Sequence, residues 1–197
     1  MRNSLVLLSL CLLVGQFSYA HGDGQSSAAK VAELAVHRID RLVALNKIDA
    51  SFLKNTVKVE IAEVASQTPV AYTALVSQAM PAKGERLSVT MSFDKDAKPL
   101  AFQVLPGGVA GPDSNWPELD SVTLIENALH YILDNVKDAK VAVFYEEMGS
   151  LELSKAVLNG QNVALAQIWT MDGADQLKIY LKLDGTLIST ETLRIVK

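Results

Sequence analysis

The sequence contains almost no cysteine, since Cys11 is the only one in 197 residues and it lies in the first apolar stretch. A protein of this kind, once that stretch is removed, has no disulfide and no thiol chemistry. It must therefore be stabilised by packing, and a hydrophobic content of 49% is sufficient for a core.

Clusters of basic residues are also missing. The chain carries 18 lysines and arginines against 22 aspartates and glutamates, for a net charge of −4. A nucleic-acid partner requires grouped positive charge to contact phosphates. The composition therefore excludes nucleic acid as a partner.

Motifs of the common enzyme classes are absent. The sequence has no G-x-S-x-G, no Walker loop, no G-x-G-x-x-G and no H-E-x-x-H. The glycine-rich "PGGVAGP" is bracketed by prolines and is typical of a linker, while "DKDAK" and "MDGAD" lack the oxygen ligands of a calcium loop. We therefore expect a protein that is not an enzyme.

The N-terminus has the pattern of a secretory signal. Arg2 is followed by an apolar stretch over residues 5–14 and by Ser18-Tyr19-Ala20, a small-x-small cleavage site. The apolar stretch is too short to cross a bilayer, so no stable membrane anchor is expected. We predict a signal peptide over residues 1–20, a flexible leader over 21–27, and a periplasmic or secreted protein.

Two halves of the chain are similar to each other. "VAELAVHRIDRLV" aligns with "LIENALHYILDNV", and the segment that begins at Val59 aligns with the one that begins at Leu151. The two turns "FDKDAKPL" and "LDGTL" also align, with a few residues deleted. The pattern predicts a duplicated module, with repeats over residues 28–104 and 121–197 and a Gly/Pro linker over 105–120.

Each repeat has the pattern of one helix followed by strands. Apolar residues at helical spacing predict helices over residues 28–46 and 121–136. Alternating apolar residues predict strands over the following segments: 57–65, 70–79, 87–93, 100–104, 141–147, 151–157, 163–171, 177–183 and 187–195. Asn159-Gly160 and Asp184-Gly185 are typical of hairpin turns. We expect an α+β fold of two repeated modules, each one helix packed on a curled antiparallel meander of about four strands.

This arrangement resembles a known class of secreted modules. The segments "RIDRLVALNKIDASF", "LSVTMSFDKDAKPLAFQV" and "LKIYLKLDGTLISTE" are similar to the PepSY-like family, and to a group of small periplasmic proteins with a His/Gly-rich mature N-terminus. The resemblance implies a helix on a curled sheet. It also implies binding, inhibition or chaperone-like work, and it supplies no catalytic residues.

Histidines occur at equivalent positions of the two predicted helices. His37 and His130 lie opposite the apolar stripes, and each follows a glutamate by four residues, Glu33 and Glu126. One interpretation is a solvated helix face. The alternative is that each pair supplies two metal ligands or a docking patch, although tight zinc binding requires three or four ligands.

His21 becomes the first residue if cleavage follows Ala20. Its α-amino group and imidazole can then chelate a copper or nickel ion, for which imidazole is a suitable ligand. The alternative is that "HGDGQSS" is only a polar leader. No other cofactor is expected.

A partner could use aromatic residues on an outward sheet face as anchors, and the candidates are Tyr72, Trp169 and Tyr180. The alternative is that they lie in the core. Our first hypothesis is an exported, non-enzymatic binding protein whose partner is an exported protein or peptide. The alternatives are a periplasmic copper- or nickel-handling accessory protein and a secreted hydrolase inhibitor.

Overall fold

The structure is a computed structural model that describes residues 27–54, 56–65, 69–80, 85–109 and 117–195. The helices are α1 (Ala28–Ala44), a 3₁₀ helix (Ala50–Leu53), α2 (Ser121–Asp134) and α3 (Ala139–Glu146). The strands are β1 (Thr56–Glu63), β2 (Tyr72–Met80), β3 (Glu85–Phe93), β4 (Pro99–Val109), β5 (Met148–Leu158), β6 (Gln161–Thr170), β7 (Asp175–Leu181) and β8 (Leu187–Arg194). The predicted α+β class is confirmed.

All eight strands form one antiparallel sheet in the order β4-β3-β2-β1-β5-β6-β7-β8. Two four-stranded meanders, one from each half of the chain, meet in the middle of this sheet. The meeting point is the antiparallel pair β1 and β5, in which Val57 lies opposite Leu153 and Val59 opposite Leu151. The two meanders therefore form one continuous sheet, which the sequence alone does not indicate.

The three α-helices cover one face of the sheet. Helix α1 contacts α2 and α3 as well as β1, β2, β3 and β5, so it packs on strands from both halves. Its buried stripe includes Val31, Ala35 and Ile39, which follow the spacing that the sequence predicted. Because α1 spans the central joint, the two halves share one hydrophobic core.

Alternation along the strands separates two faces of the sheet. Val57, Val59 and Ile61 of β1 are buried towards the helices, whereas Lys58 and Glu60 lie on the other face. Residues directly opposite one another on paired strands lie on the same face of the sheet. The pairing therefore shows which residues of the other strands face the helices and which lie on the other side. We call the side without helices the open face.

One predicted strand is wrong. Residues 141–147 were expected to be a strand, but α3 covers Ala139–Glu146 and the structure begins β5 only at Met148. The Asp138 side chain caps this helix by accepting a hydrogen bond from the Lys140 N–H at 2.9 Å. Val141 and Phe144, three residues apart, then share the buried side of the helix. The second half therefore contains two α-helices rather than one.

Other elements differ in length from the prediction. Strand β4 reaches Val109 and so includes the first part of the predicted linker over residues 105–120. Helices α1 and α2 end at Ala44 and Asp134, earlier than expected, and Leu45 and Val136, which fall within the two predicted helices, are exposed. The remaining predicted strands are present, with ends shifted by a few residues.

The two predicted hairpin turns are confirmed. Asn159 and Gly160 both have positive φ, and Gly185 has φ +88°. The Thr186 N–H donates to Asp184 Oδ1 at 2.9 Å, and hydrogen bonds from Thr186 lower the pKa of the Asp184 carboxyl. Asn127 of α2 donates to the Gly185 carbonyl at 3.1 Å, which fastens the β7–β8 hairpin to the helix layer.

Candidate functional site

The centre of the open face carries polar and charged side chains of both signs. One row of cross-strand neighbours crosses the sheet from β3 to β8: Ser88, Ser77, Lys58, Glu152, Gln167, Lys178 and Glu191. Within it Lys178 pairs with Glu191 at 3.7 Å, while Lys58 pairs with Glu60 of the adjacent row at 2.8 Å. Most side chains of this row are half-buried rather than fully exposed.

A depression of about 530 Å³ lies on this face beside the central joint. Its wall combines carboxylates, hydroxyls and apolar groups, among them Glu60, Thr73, Leu75, Thr90 and Ser150. Ligand-binding clefts have volumes of roughly 300–1,000 Å³ and combine apolar surface with a few polar groups. The size and lining of the depression therefore suit a small molecule or several side chains of a polypeptide.

The end of the depression at β5 and β6 is shaped by Gly149. It lies at a register shift between Met148 and Ser150, where the β5–β6 ladder is irregular. A Cβ atom at this position would be 2.7 Å from the Met171 Cα. The strand ends therefore approach more closely than any other residue type permits.

Two of the three predicted aromatic anchors lie on the open face. Trp169 is half-buried and lies opposite Ser150, which lines the depression. Tyr180 is also half-buried and lies opposite Leu165. These two side chains thus flank the polar row on the β6–β7 side of the sheet.

Tyr72 does not lie where it was predicted. It is only 2% exposed and shares the helix-facing side with Ala74 and Val76, so its assignment as an outward partner-binding residue is wrong. Although β2 and β6 occupy equivalent places in their meanders, Tyr72 and Trp169 point to opposite faces. Burial, and secondarily the charge of Glu63 opposite it, raises the pKa of the Tyr72 hydroxyl.

We expect Tyr72 to make stability fall at alkaline pH. Because its pKa is raised in the folded state, the unfolded chain ionises first as the pH passes the ordinary tyrosine value of about 10, and folding then loses free energy as the pH rises further. Urea unfolding midpoints measured on either side of that pH should fall less for Tyr72→Phe than for the wild type. A parallel decline in both proteins would contradict this assignment.

The structure brings three of the predicted site residues together on the helix layer. His37 Nδ1 lies 3.3 Å from Glu126 Oε1 of α2, and His37 Nε2 lies 3.9 Å from Glu33 Oε1 one turn earlier. Glu33 also pairs with Lys30 at 2.6 Å. The imidazole thus bridges α1 and α2, a contact between helices that the spacing of four residues along one helix did not suggest.

His37 lies between the carboxylates of Glu33 and Glu126 and links the two helices. The two carboxylates approach different ring nitrogens, whereas metal ligands must converge on one point. Within the described residues no group of three or more His, Cys, Asp and Glu side chains is arranged to hold a metal ion. His130 is exposed, and it makes no ion pair with Glu126 in this part of the chain.

His21 lies outside the described residues, as do the predicted signal peptide and most of the leader. Copper or nickel chelation at a processed N-terminus therefore stays a prediction. Ser27, the last residue of the predicted leader, caps α1 by accepting a hydrogen bond from the Lys30 N–H at 3.2 Å.

The outer edge of β4 is the feature that sequence reasoning missed. Leu100 and Phe102 are each 43% exposed, and Leu105 is 36% exposed. The Arg38 guanidinium of α1 lies over the Phe102 ring at 5.5 Å from its centroid. The sequence contains an indication of this edge, because residues 99–109 form an uncharged segment. The sequence prediction divides the segment between a short strand that ends at residue 104 and a linker that begins at residue 105.

Comparison with protein-family models, with curated proteins and with solved structures finds no match to this chain. Among the described helices, none combines the length and the hydropathy that crossing a bilayer requires.

Proposed function

We propose that this chain is an exported, non-enzymatic binding protein whose partner is another exported protein or peptide. The observation that carries the proposal is the depression on the open face, with hydroxyl and carboxylate groups in its wall and Trp169 beside it. Extended polypeptides present apolar side chains and backbone amide groups together. A wall of this mixed chemistry is suited to bind them, and aromatic anchors next to a pocket commonly contribute most of the affinity.

We further propose that the two halves are copies of one PepSY-like module. Both halves have the order long helix, short helix and four-stranded antiparallel meander. Val59 and Leu151, which align with each other in the sequence comparison, lie directly opposite one another in the β1–β5 pair. Equivalent residues that face each other are the mark of a two-fold relation, which supports an origin from two identical modules joined edge to edge.

Site-specific photocrosslinking tests the binding surface. A benzoylphenylalanine probe replaces Thr90 in the wall of the depression, in cells of the organism that produces the protein, and the exported fraction is irradiated and separated. The matched control carries the probe at Lys140, which is exposed on α3 of the helix layer. We expect a protein or peptide adduct from the Thr90 probe alone.

A second variant links the adduct to the depression itself. Adding Thr73→Trp to the Thr90 probe fills part of the depression beside the probe, on the neighbouring strand, and is expected to reduce the adduct severalfold, while the circular dichroism spectrum stays unchanged. Adducts of equal yield at Thr90 and Lys140, or no adduct at either position, would contradict the proposal.

A further inference from the structure

Within the described residues, the outer edge of β4 has no charged side chain and no element that pairs with it. Natural edge strands are usually protected by charged side chains, prolines, bulges, a covering element or a very short length, and of these β4 has two prolines and irregular register at its ends. Strand β4 has eleven residues, none of them charged, and it exposes Leu100, Phe102 and Leu105. The other edge, β8, carries Glu191 and Arg194.

We propose that the β4 edge pairs with the β4 edge of a second copy of this chain, antiparallel and about a two-fold axis. The two sheets then become one continuous sheet across the dimer. The proposal is independent of the partner proposed for the open face, because it uses the edge of the sheet.

The hydrogen-bonding groups of β4 restrict how two copies can pair. Residues of β4 from Ala101 to Pro106 lie in unbroken register with β3. Pro106 has no N–H. A proline in a sheet occupies a position whose nitrogen points away from the neighbouring strand, so the backbone nitrogen of Pro106 points away from β3. Because orientation alternates along a strand, Val104 and Phe102 then present their backbone N–H and C=O groups outwards.

These outward groups are compatible with several registers, and the side chains distinguish between them. In a two-fold antiparallel pair, residues that oppose each other must share a face, so the axis passes through a single residue position. An axis through Gln103 places Phe102 of each copy opposite Val104 of the other copy. The outward N–H and C=O groups of these two residue pairs then form hydrogen bonds between the copies. The two Gln103 residues then form a close, non-hydrogen-bonded pair with Cα atoms about 4.5 Å apart.

The side chains agree with this register. It places Ala101 opposite Leu105 on the open face and Phe102 opposite Val104 on the helix side, so that apolar residues meet apolar residues. The Gln103 amides meet at the axis, where each has a donor and an acceptor for the other. Moving the axis to Phe102 or to Val104 would instead place Gln103 opposite Ala101 or Leu105.

A second copy fits this edge better than an unrelated chain does. A two-fold interface needs a surface that is complementary to itself, and an uncharged strand creates no repulsion when it meets its own copy. The molecule already contains a joint of the same kind, in which β1 and β5 meet edge to edge with Val59 opposite Leu151. The proposed dimer repeats that joint at the outer edge.

Disulfide trapping tests the register. Cys11 is the only native cysteine, so Gln103→Cys in a Cys11→Ser background gives one thiol in the whole chain. After mild oxidation we expect a covalent dimer on non-reducing gels, because Cα atoms at this separation permit a disulfide. The matched control, Thr192→Cys on the exposed β8 edge, is expected to stay monomeric under the same conditions.

Sedimentation velocity of the unmodified protein measures the dimer directly. We expect a dimer that Phe102→Lys weakens about tenfold or more, since two lysines would then lie beside the axis. Ala101→Lys on the exposed open face provides a second variant if Phe102→Lys does not fold. A monomer at all concentrations, or trapping through Thr192→Cys instead of Gln103→Cys, would overturn the proposal. Because Thr90 lies opposite Gln103 in the β3–β4 pair, an adduct of the Thr90 probe with a second copy of this chain supports only the dimer, whereas an adduct with another protein or peptide supports only the open-face proposal. The two proposals therefore fail separately.

Discussion

Replacing Phe144 with alanine is expected to lower the free energy of unfolding by about 3–5 kcal/mol. The ring is fully buried on the inner side of α3, which contacts α1, α2 and strands β5 and β6. Truncation removes apolar surface from the core and leaves a cavity between three helices and the sheet. Chemical denaturation followed by circular dichroism measures the loss.

Phe102→Ala, measured at protein concentrations too low for two β4 edges to pair, is the matched control for this experiment. The same side chain is removed, but the Phe102 ring is 43% exposed and its described ring contact is with Arg38. The expected loss is about 1 kcal/mol or less, which is the range of an exposed cation–π contact. Similar losses for the two variants would show that α3 is not part of the core.

Gly149→Ala is expected to lower the free energy of unfolding by about 1–3 kcal/mol, as overpacking does in a well-packed site. The new Cβ would lie 2.7 Å from the Met171 Cα and 3.0 Å from the Met171 nitrogen. Both are backbone atoms, so no rotamer change relieves the overlap. The ends of β5 and β6 beside the depression must move apart instead. Urea unfolding measures the resulting loss in the free energy of unfolding.

A double variant separates this overlap from ordinary crowding. Met171→Ala shortens the side chain but leaves its Cα and nitrogen in place. Gly149→Ala should therefore remain destabilising in the Met171→Ala background, which a double-mutant cycle measures. Rescue of Gly149→Ala by Met171→Ala would contradict a backbone clash.

The sequence predicted most of the strands because their determinants are local. Alternation of apolar and polar residues in β1, β6 and β7 is clear, and Gly160 and Gly185 occur where turns need positive φ. The segment of α3 shows the limit of this reasoning. Its β-branched and aromatic residues suggest a strand, whereas the Asp138 cap and burial of Val141 and Phe144 favour a helix in the context of the fold.

The site residues were harder to predict because they depend on contacts between distant segments. Nothing in the local spacing of His37 indicates that Glu126 lies 3.3 Å from its ring. Tyr72 and Trp169 occupy equivalent strands, but the face of a strand residue changes with each position, so equivalence of strands did not fix their orientation. The depression likewise combines residues from both halves, which only the β1–β5 pairing brings together.

The pairing of β1 with β5 also predicts an order of folding. Every other strand pair in the described sheet joins strands that follow each other in the chain, whereas β1 and β5 are separated by an entire meander and a helix pair. Closing a long loop has a larger entropic cost than forming a hairpin, and contacts between distant residues slow folding. We therefore expect the hairpins of each half to form first and the union of β1 with β5 to limit the folding rate of the whole sheet.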